Sequence, residues 1–105
     1  MPMARRGEIW LVDLGMVQKT RPAVILSVAF MDHERAVVTY VPRTTSIRHT
    51  RFEVPHQARG FDPGAFDGQG QGSVPVTKLI RQVGVLDTAS MQGVELVVRS
   101  WLDLS

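Results

Sequence analysis

The chain has 105 residues, of which 44% are hydrophobic, and it contains no cysteine. One domain over residues 1–105 is therefore expected, and disulfide frameworks, cysteine-based zinc fingers and thiol nucleophiles are excluded. No apolar run approaches the roughly 20 residues that cross a membrane. The N-terminal segment "MPMARRGEIW" also lacks the apolar stretch of a signal peptide, so we expect a cytoplasmic protein with no membrane partner.

The net charge of +2 is unevenly distributed. Residues 1–58 carry eight Lys or Arg against five Asp or Glu, whereas residues 59–105 carry four against five. The basic excess is concentrated in "RTTSIRHTR", residues 43–51. A local basic segment fits a polyanionic partner. An ordinary solvated loop is the alternative at this stage.

The first half of the chain predicts four strands, because aromatic and branched residues recur there between polar or proline-containing links. In chain order they cover residues 8–14, 22–29, 37–42 and 51–55. The links are a short connection at 15–20, a polar turn at 31–36 and, at 43–50, a loop or an extended segment with an exposed edge. Arg21-Pro22 stands at the entrance of the second strand, where proline is tolerated and keeps the preceding residue extended. We therefore expect Arg21 at a sheet rim with its guanidinium free.

The second half of the sequence predicts a loop, a further strand and a helix. The glycine-rich stretch at 58–73 is expected to be a long flexible loop, with Asp62 and Asp67 as turn residues. Residues 74–86 resume strand character. Residues 87–102 predict a helix that begins at an Asp87 or Thr88 cap and packs one apolar stripe against the sheet. That stripe contains Met91, Val94, Val98, Trp101 and Leu102. Five or so short strands with one terminal helix favour a small, strongly bent antiparallel sheet or barrel.

The histidines do not predict a metal site. His33, His49 and His56 lack the close spacing of metal ligands, and no pair of carboxylates accompanies them. We therefore expect three surface histidines and no bound metal.

Arginine and threonine at strand ends predict a phosphate site. A guanidinium binds two phosphate oxygens in a planar fork and stays charged, and a threonine hydroxyl can donate to a third oxygen. The candidates are Arg21 at one strand start and the run Arg43, Thr44, Thr45 and Ser46 after another strand end. Two alternatives stay open: Arg21 pairs with Asp13 or Glu53, or the two threonines merely satisfy backbone groups of the loop.

The same segments resemble a known family. "RRGEIWLVDL", "TRPAVILS" and "VPRTTSIRHTRFEV" resemble, in order and spacing, the opening of the MazF/PemK toxins of bacterial toxin–antitoxin systems. "VPVTKLIRQVG" is similar to the strand that closes the barrel of these toxins, and "MQGVELVVRSWLDL" is similar to their terminal helix. The resemblance covers nearly the whole chain.

The resemblance implies an SH3-like small barrel of the MazF/PemK/CcdB type with a C-terminal α-helix. It further implies a cytoplasmic homodimer that cleaves single-stranded RNA at short sequences by 2′-hydroxyl attack, without a metal or other cofactor. A cognate MazE-like antitoxin is the implied protein partner. By motif position, Arg21 and Thr44 match the catalytic residues. The residues expected to bind substrate are Thr45, Ser46, Arg43, Arg48, His49 and Arg81.

Two other functions remain open. The link at 15–20 is shorter than in other members of the family, and Leu79 stands where a glutamine is common. The short link favours, as an alternative, a catalytically degenerate barrel that binds RNA without cleaving it. A toxin of the same fold that poisons a protein target such as gyrase is the second alternative, but the Arg-Pro and Pro-x-Thr-Thr motifs resemble the nuclease branch.

Overall fold

The computed structural model describes residues 4–15 and 19–104. Seven strands and one α-helix form in this part of the chain. The strands are β1 (Glu8–Asp13), β2 (Thr20–Ile25), β3 (Val37–Thr44), β4 (Glu53–His56), β5 (Gly64–Asp67), β6 (Gly72–Pro75) and β7 (Leu79–Val85). Helix α1 spans Thr88–Leu102, and short 3-10 helices span Gly68–Gly70 and Val76–Lys78. No helix in the described ranges is long and apolar enough to cross a membrane.

The seven strands form one antiparallel sheet. Its order is β4-β5-β3-β2-β1-β7, and β6 also pairs with β3. Strands β4 and β7 lie at the two ends of this order and do not pair with each other within residues 4–15 and 19–104, so the sheet is not closed. The predicted mainly-β fold with a C-terminal helix is confirmed, with an open sheet in place of a fully closed barrel.

The strands at the centre of the sheet are buried on both faces. Because successive side chains of a strand point to opposite faces, neighbours in β1 enter two different hydrophobic clusters. The first cluster includes Trp10, Val12, Ala23, Ile25 and Val38. The second includes Ile9, Val24, Val41, Phe66 and, from the helix, Val94 and Val98. Burial on both faces makes β1, β2 and β3 a rigid frame for the residues at their ends.

Helix α1 begins where the sequence predicted. Asp87 is its N-cap, and the carboxylate accepts a hydrogen bond from the backbone N–H of Ser90 at 3.0 Å. The prediction that the whole apolar stripe packs on the sheet is wrong for the last turn, where Trp101 is 45% exposed and Leu102 is also exposed. This turn lies against the segment before β4, and Trp101 meets only the edge of the Phe52 ring there, at a centroid distance of 5.3 Å.

The segment at 58–73 is more ordered than predicted, because it contains β5 and a 3-10 helix. Ala65 and Phe66 are fully buried, and β5 pairs with both β3 and β4. Gly64 permits this close packing, since a Cβ there would lie 2.6 Å from the carbonyl oxygen of Thr44. The predicted strand at 74–86 is divided into β6 and β7 by the second 3-10 helix. Of the short link at 15–20, residues 16–18 lie outside the described residues.

The helix packing gives a stability prediction. Val94 is fully buried, whereas Leu96 on the same helix is 65% exposed. Val94→Ala should lower the free energy of unfolding by about 2 kcal/mol, from lost apolar burial and the cavity left behind. Leu96→Ala should change it by less than about 0.5 kcal/mol. Urea unfolding of both variants measures the difference, and equal losses would contradict the assigned helix face.

Candidate active site

A cavity of about 450 Å³ opens where β2 and β3 diverge. The pairing of these strands reaches only as far as Ala23 opposite Pro42, and beyond it Arg43 and Thr44 of β3 pair with β5. Three segments line the cavity: the start of β2, the end of β3 with the loop that follows it, and the loop before β5. The lining residues are Arg21, Pro22, Arg43, Thr44, Thr45, Ser46, Gly60, Phe61 and Asp62.

Pro22 accounts for the divergence of β2 and β3. Pro22 is the third residue of β2, and not its first as predicted. If the register of Ala23 opposite Pro42 continued, Pro22 would face Arg43 and Arg21 would face Thr44. Proline has no amide hydrogen to donate, so the β2–β3 ladder is weakened at this point. The two strand ends therefore separate, and Arg21 and Thr44 line opposite sides of one gap.

The guanidinium of Arg21 is available to a ligand. Arg21 is half-buried at the rim, and its side chain forms no hydrogen bond or ion pair with any other residue of the described ranges. Neither partner proposed as an alternative engages it. Asp13 accepts a hydrogen bond from the backbone of Gly15 at 3.0 Å, and Glu53 accepts from backbone groups of the loop that precedes it.

Thr44 combines a structural role with a free donor. Its hydroxyl oxygen accepts a hydrogen bond from the backbone N–H of Ser46 at 3.0 Å, which closes the turn after β3. The alternative that this threonine satisfies a backbone group is therefore observed, but the hydroxyl hydrogen remains free to donate to a ligand. Thr45 and Ser46 are exposed on the cavity wall.

The loop with Arg48 and His49 folds around Glu53. The Glu53 carboxylate accepts hydrogen bonds from the backbone N–H groups of Arg48 and Thr50, each at 3.1 Å. Burial would raise the pKa of Glu53, but these hydrogen bonds and one from the His49 backbone together lower it. Arg48 and His49 are exposed and do not line the cavity. Their predicted contact with substrate would therefore involve RNA that extends beyond the cavity.

Arg81 lies apart from the other candidates. It is exposed on β7, opposite Leu11 of β1, and Leu11 in turn lies opposite Pro22. Residues in one such row project to the same face of a sheet, and two strand spacings separate Arg81 from Pro22 by about 10 Å. Arg81 therefore shares a sheet face with the cavity rim without lining the cavity.

Arg43 is a buried cation, with 5% of its surface exposed. Its Nε donates to Nδ1 of His56 at 2.8 Å, and its Nη2 donates to the carbonyl oxygens of His56, at 3.0 Å, and of Asp62. The guanidinium also lies 5.0 Å from the centre of the Phe61 ring. Burial lowers the pKa of Arg43, and the nearby charge of Asp62 acts in the opposite direction. Most of the hydrogen-bonding capacity of the Arg43 guanidinium is therefore used by other groups of the protein, although Arg43 still lines the cavity.

His56 contradicts the prediction of three surface histidines. It is 7% exposed, with its ring against Phe61 and Phe66, whereas His33 and His49 are exposed. Burial, followed by the Arg43 charge, lowers the pKa of His56, and Asp87 opposes this change. The prediction failed because the fourth strand was expected to end at Pro55. Alternation from Val54 to His56 in the longer strand indicates the inward direction of this side chain.

No group of three or more His, Cys, Asp or Glu side chains within residues 4–15 and 19–104 is arranged to hold a metal ion. The cavity itself offers two guanidinium groups, three hydroxyls and one carboxylate. Cations and hydroxyl donors on facing walls suit an anionic ligand such as a phosphodiester.

Comparison with known proteins identifies relatives of this fold. The chain matches the family model of the PemK-like, MazF-like toxins of type II toxin–antitoxin systems over residues 5–102. It is 28% identical to the Mycobacterium tuberculosis toxin MazF-mt6, with a TM-score of 0.80 over 93% of this chain and 98% of that one. A mycobacterial endoribonuclease in complex with its cognate antitoxin is 22% identical, with a TM-score of 0.83 over 100% and 98% of the two chains. MazF in a MazE–MazF complex from Deinococcus radiodurans is 19% identical, with a TM-score of 0.84 over the full length of both chains. The last two share the fold.

The buried His56 predicts a pH dependence of stability. The unfolded state takes up a proton near the ordinary histidine pKa of about 6.5, whereas the folded state resists protonation. At pH values between the ordinary histidine pKa and the lower pKa of folded His56, the unfolded chain binds more protons than the folded chain. The free energy of unfolding should therefore fall as the pH drops below about 6.5. Asn at position 56 retains an acceptor near the Nδ1 position without titrating.

His56→Asn should therefore flatten the pH dependence of the unfolding free energy between about pH 6.5 and pH 5, above the range in which carboxylates titrate. His33→Asn, at an exposed position, is the matched control and should keep the wild-type slope. Urea unfolding at several pH values measures both. A wild-type slope in His56→Asn would show that His56 titrates alike in the folded and unfolded chains.

Proposed function

The chain belongs to the PemK-like, MazF-like toxins of type II toxin–antitoxin systems, and on that basis we propose that it is a metal-independent, sequence-specific endoribonuclease. Its substrate in this proposal is single-stranded RNA, which it cleaves by attack of a 2′-hydroxyl on the adjacent phosphate. The observation that carries the proposal is the cavity between β2 and β3, which is lined by both Arg21, whose guanidinium is free, and Thr44.

The reaction requires stabilisation of charge at phosphorus. As the 2′-oxygen attacks, negative charge grows on the non-bridging oxygens, and fixed donors lower the barrier most where they meet that charge. Arg21 can donate to these oxygens through its planar fork, and Thr44 can donate its hydroxyl hydrogen to one of them. Both residues lie at the ends of strands buried on both faces, which holds the donors in place before substrate binds.

The proposed macromolecular partners fit the charges around the cavity. Thr45 and Ser46 extend the polar wall, and Arg48 and His49 lie on the next loop, where they can meet flanking phosphates. A cognate antitoxin of the MazE type with an acidic segment would compete for the same surface, because it imitates the charge of RNA. We further propose a homodimer as the assembled form and the cytoplasm as its location.

Cleavage of a long single-stranded RNA in the presence of EDTA tests the proposed function. We expect cuts at a short recurring sequence, and mapping of the fragment ends should find a 2′,3′-cyclic phosphate on one side and a 5′-hydroxyl on the other. RNA that binds but stays intact would favour the degenerate, RNA-binding alternative. Loss of cleavage on chelation would contradict the metal-independent mechanism.

Arg21→Lys tests the role of the guanidinium. Lysine keeps the positive charge but loses the planar fork, so cleavage should fall by at least about 10²-fold, as for the loss of one transition-state donor. The free energy of unfolding should barely change, because Arg21 contacts no other described side chain through a hydrogen bond or ion pair. Near-normal cleavage by Arg21→Lys would rule out the assigned role.

A pair of threonine variants tests the position of the hydroxyl donor. Thr44→Ala should reduce cleavage more than Thr45→Ala, because Thr44 is the last residue of the rigid strand β3, whereas Thr45 lies on the following loop. Single-turnover cleavage rates of the two variants give the comparison. If Thr45→Ala is the inactive variant, the catalytic threonine has been assigned one residue too early.

A further inference from the structure

Asp62 has a distinct chemical character within the cavity. Of the nine lining residues in the described chain, it alone has a side chain that can accept a proton at neutral pH. Arginine stays protonated, and hydroxyls of threonine and serine are poor bases. A carboxylate opposite phosphate-binding cations would repel a phosphate, so its presence calls for a function other than binding the anion.

The Asp62 carboxylate is not engaged in a structural hydrogen bond. Asp67, which was predicted to be a turn residue like Asp62, caps a 3-10 helix and accepts a hydrogen bond from the N–H of Gln69 at 3.0 Å. Asp87 caps α1, and Asp13 accepts from Gly15. Within residues 4–15 and 19–104, no donor hydrogen-bonds the carboxylate of Asp62, and no cation forms an ion pair with it. The Asp62 side chain therefore does not form the turn-stabilising hydrogen bond that is expected of a turn residue.

The backbone at Asp62 is nevertheless held firmly. Nη2 of Arg43 donates to the carbonyl oxygen of Asp62, and the Arg43 guanidinium is fixed in turn by Nδ1 and the carbonyl of His56. The neighbouring Phe61 ring packs beside the same guanidinium and into the second hydrophobic cluster. Pro63 restricts Asp62 to an extended backbone. The backbone from which the Asp62 carboxylate projects is therefore fixed, and the carboxylate itself is free to accept a proton.

A small residue at position 64 maintains this support. A Cβ on Gly64 would lie 2.7 Å from Nη1 of Arg43, so only glycine leaves room for the guanidinium beside the loop. The two nearby histidines do not replace Asp62. His49 lies outside the cavity lining, and His56 is buried behind Arg43 with Nδ1 already accepting a hydrogen bond.

We propose that Asp62 is the general base of the RNA cleavage reaction, positioned by the buried Arg43–His56 pair; this rests on the proposed function. The carboxylate takes the proton from the 2′-hydroxyl as the bond from O2′ to phosphorus forms and the bond from phosphorus to O5′ breaks. The leaving O5′ takes a proton from solvent water. Asp62 then returns its proton to solvent, which leaves a 2′,3′-cyclic phosphate and a 5′-hydroxyl.

Asp62→Asn tests this assignment with little change of shape. The amide cannot accept a proton, so the single-turnover cleavage rate should fall by about 10²- to 10⁴-fold, the usual contribution of a general base. Binding of an RNA with 2′-deoxyribose at the cleavage site should be unchanged or tighter, because one negative charge near the phosphates is gone. Asp32→Asn is the matched control, since Asp32 is exposed on the 31–36 turn and the net charge changes equally.

The pH profile separates a base from a structural residue. Loss of the base should change the shape of the pH–rate profile, and the residual cleavage by Asp62→Asn should depend on hydroxide. Arg21 and Arg43 line the cavity with Asp62, and His56 lies behind Arg43 with Asp87 acting on it; all four remain in the variant.

The results for Asp62→Asn distinguish a general base from a structural residue. Wild-type rates in Asp62→Asn would overturn the assignment, and so would a joint loss of binding, melting temperature and cleavage, which indicates a structural role. Rescue of Asp62→Asn at high pH, with Asp32→Asn indistinguishable from wild type, would support it. If the wild-type chain itself leaves RNA intact, the proposed function fails and the assignment of Asp62 fails with it.

Discussion

The divergence of β2 and β3 after Ala23 and Pro42 is the constraint on which the candidate site depends. Strand β3 is shared: one edge pairs with β2, and the other pairs first with β6 and then with β5. Pro22 weakens the β2–β3 ladder at its outer end, where an amide hydrogen would be needed. The resulting gap is bounded by the hydrogen-bond donors Arg21 and Thr44. Both lie on strands whose central residues are buried on both faces of the sheet. An anion can therefore enter without disturbing the hydrophobic clusters.

The loop before β5, which forms the third wall of the gap, depends on the buried guanidinium of Arg43. An isolated cation in a protein interior is costly, but Arg43 has hydrogen-bond partners for Nε and Nη2 and an aromatic face beside it. The partner at Nε must be a neutral histidine, because a protonated imidazole has no acceptor. Burial and the Arg43 charge favour that neutral form. The Arg43–His56 pair thus converts the segment from Gly60 to Asp62 from a glycine-containing loop into a defined wall.

Sequence reasoning succeeded where local pattern and tertiary structure agree. Strand alternation, the Asp87 cap and the placement of Arg21 and Thr44 at strand ends follow from a few neighbouring residues. It failed where distant partners decide the outcome. Strand β5 lies within a glycine-rich stretch because Gly64 accommodates Arg43 and Phe66 fills the core, and neither contact is local. The burial of His56 likewise depends on Arg43, 13 residues away, and the exposure of Trp101 depends on where the sheet ends.

The position of the scissile phosphate tests the central claim most directly. A structure of the protein with a cognate RNA carrying 2′-deoxyribose at the cleavage site would locate it. The account predicts that its non-bridging oxygens lie within hydrogen-bond distance, about 3 Å, of the Arg21 guanidinium and the Thr44 hydroxyl. A phosphate bound at the loop with Arg48 and His49, or beside Arg81, with the cavity between β2 and β3 empty, would contradict it.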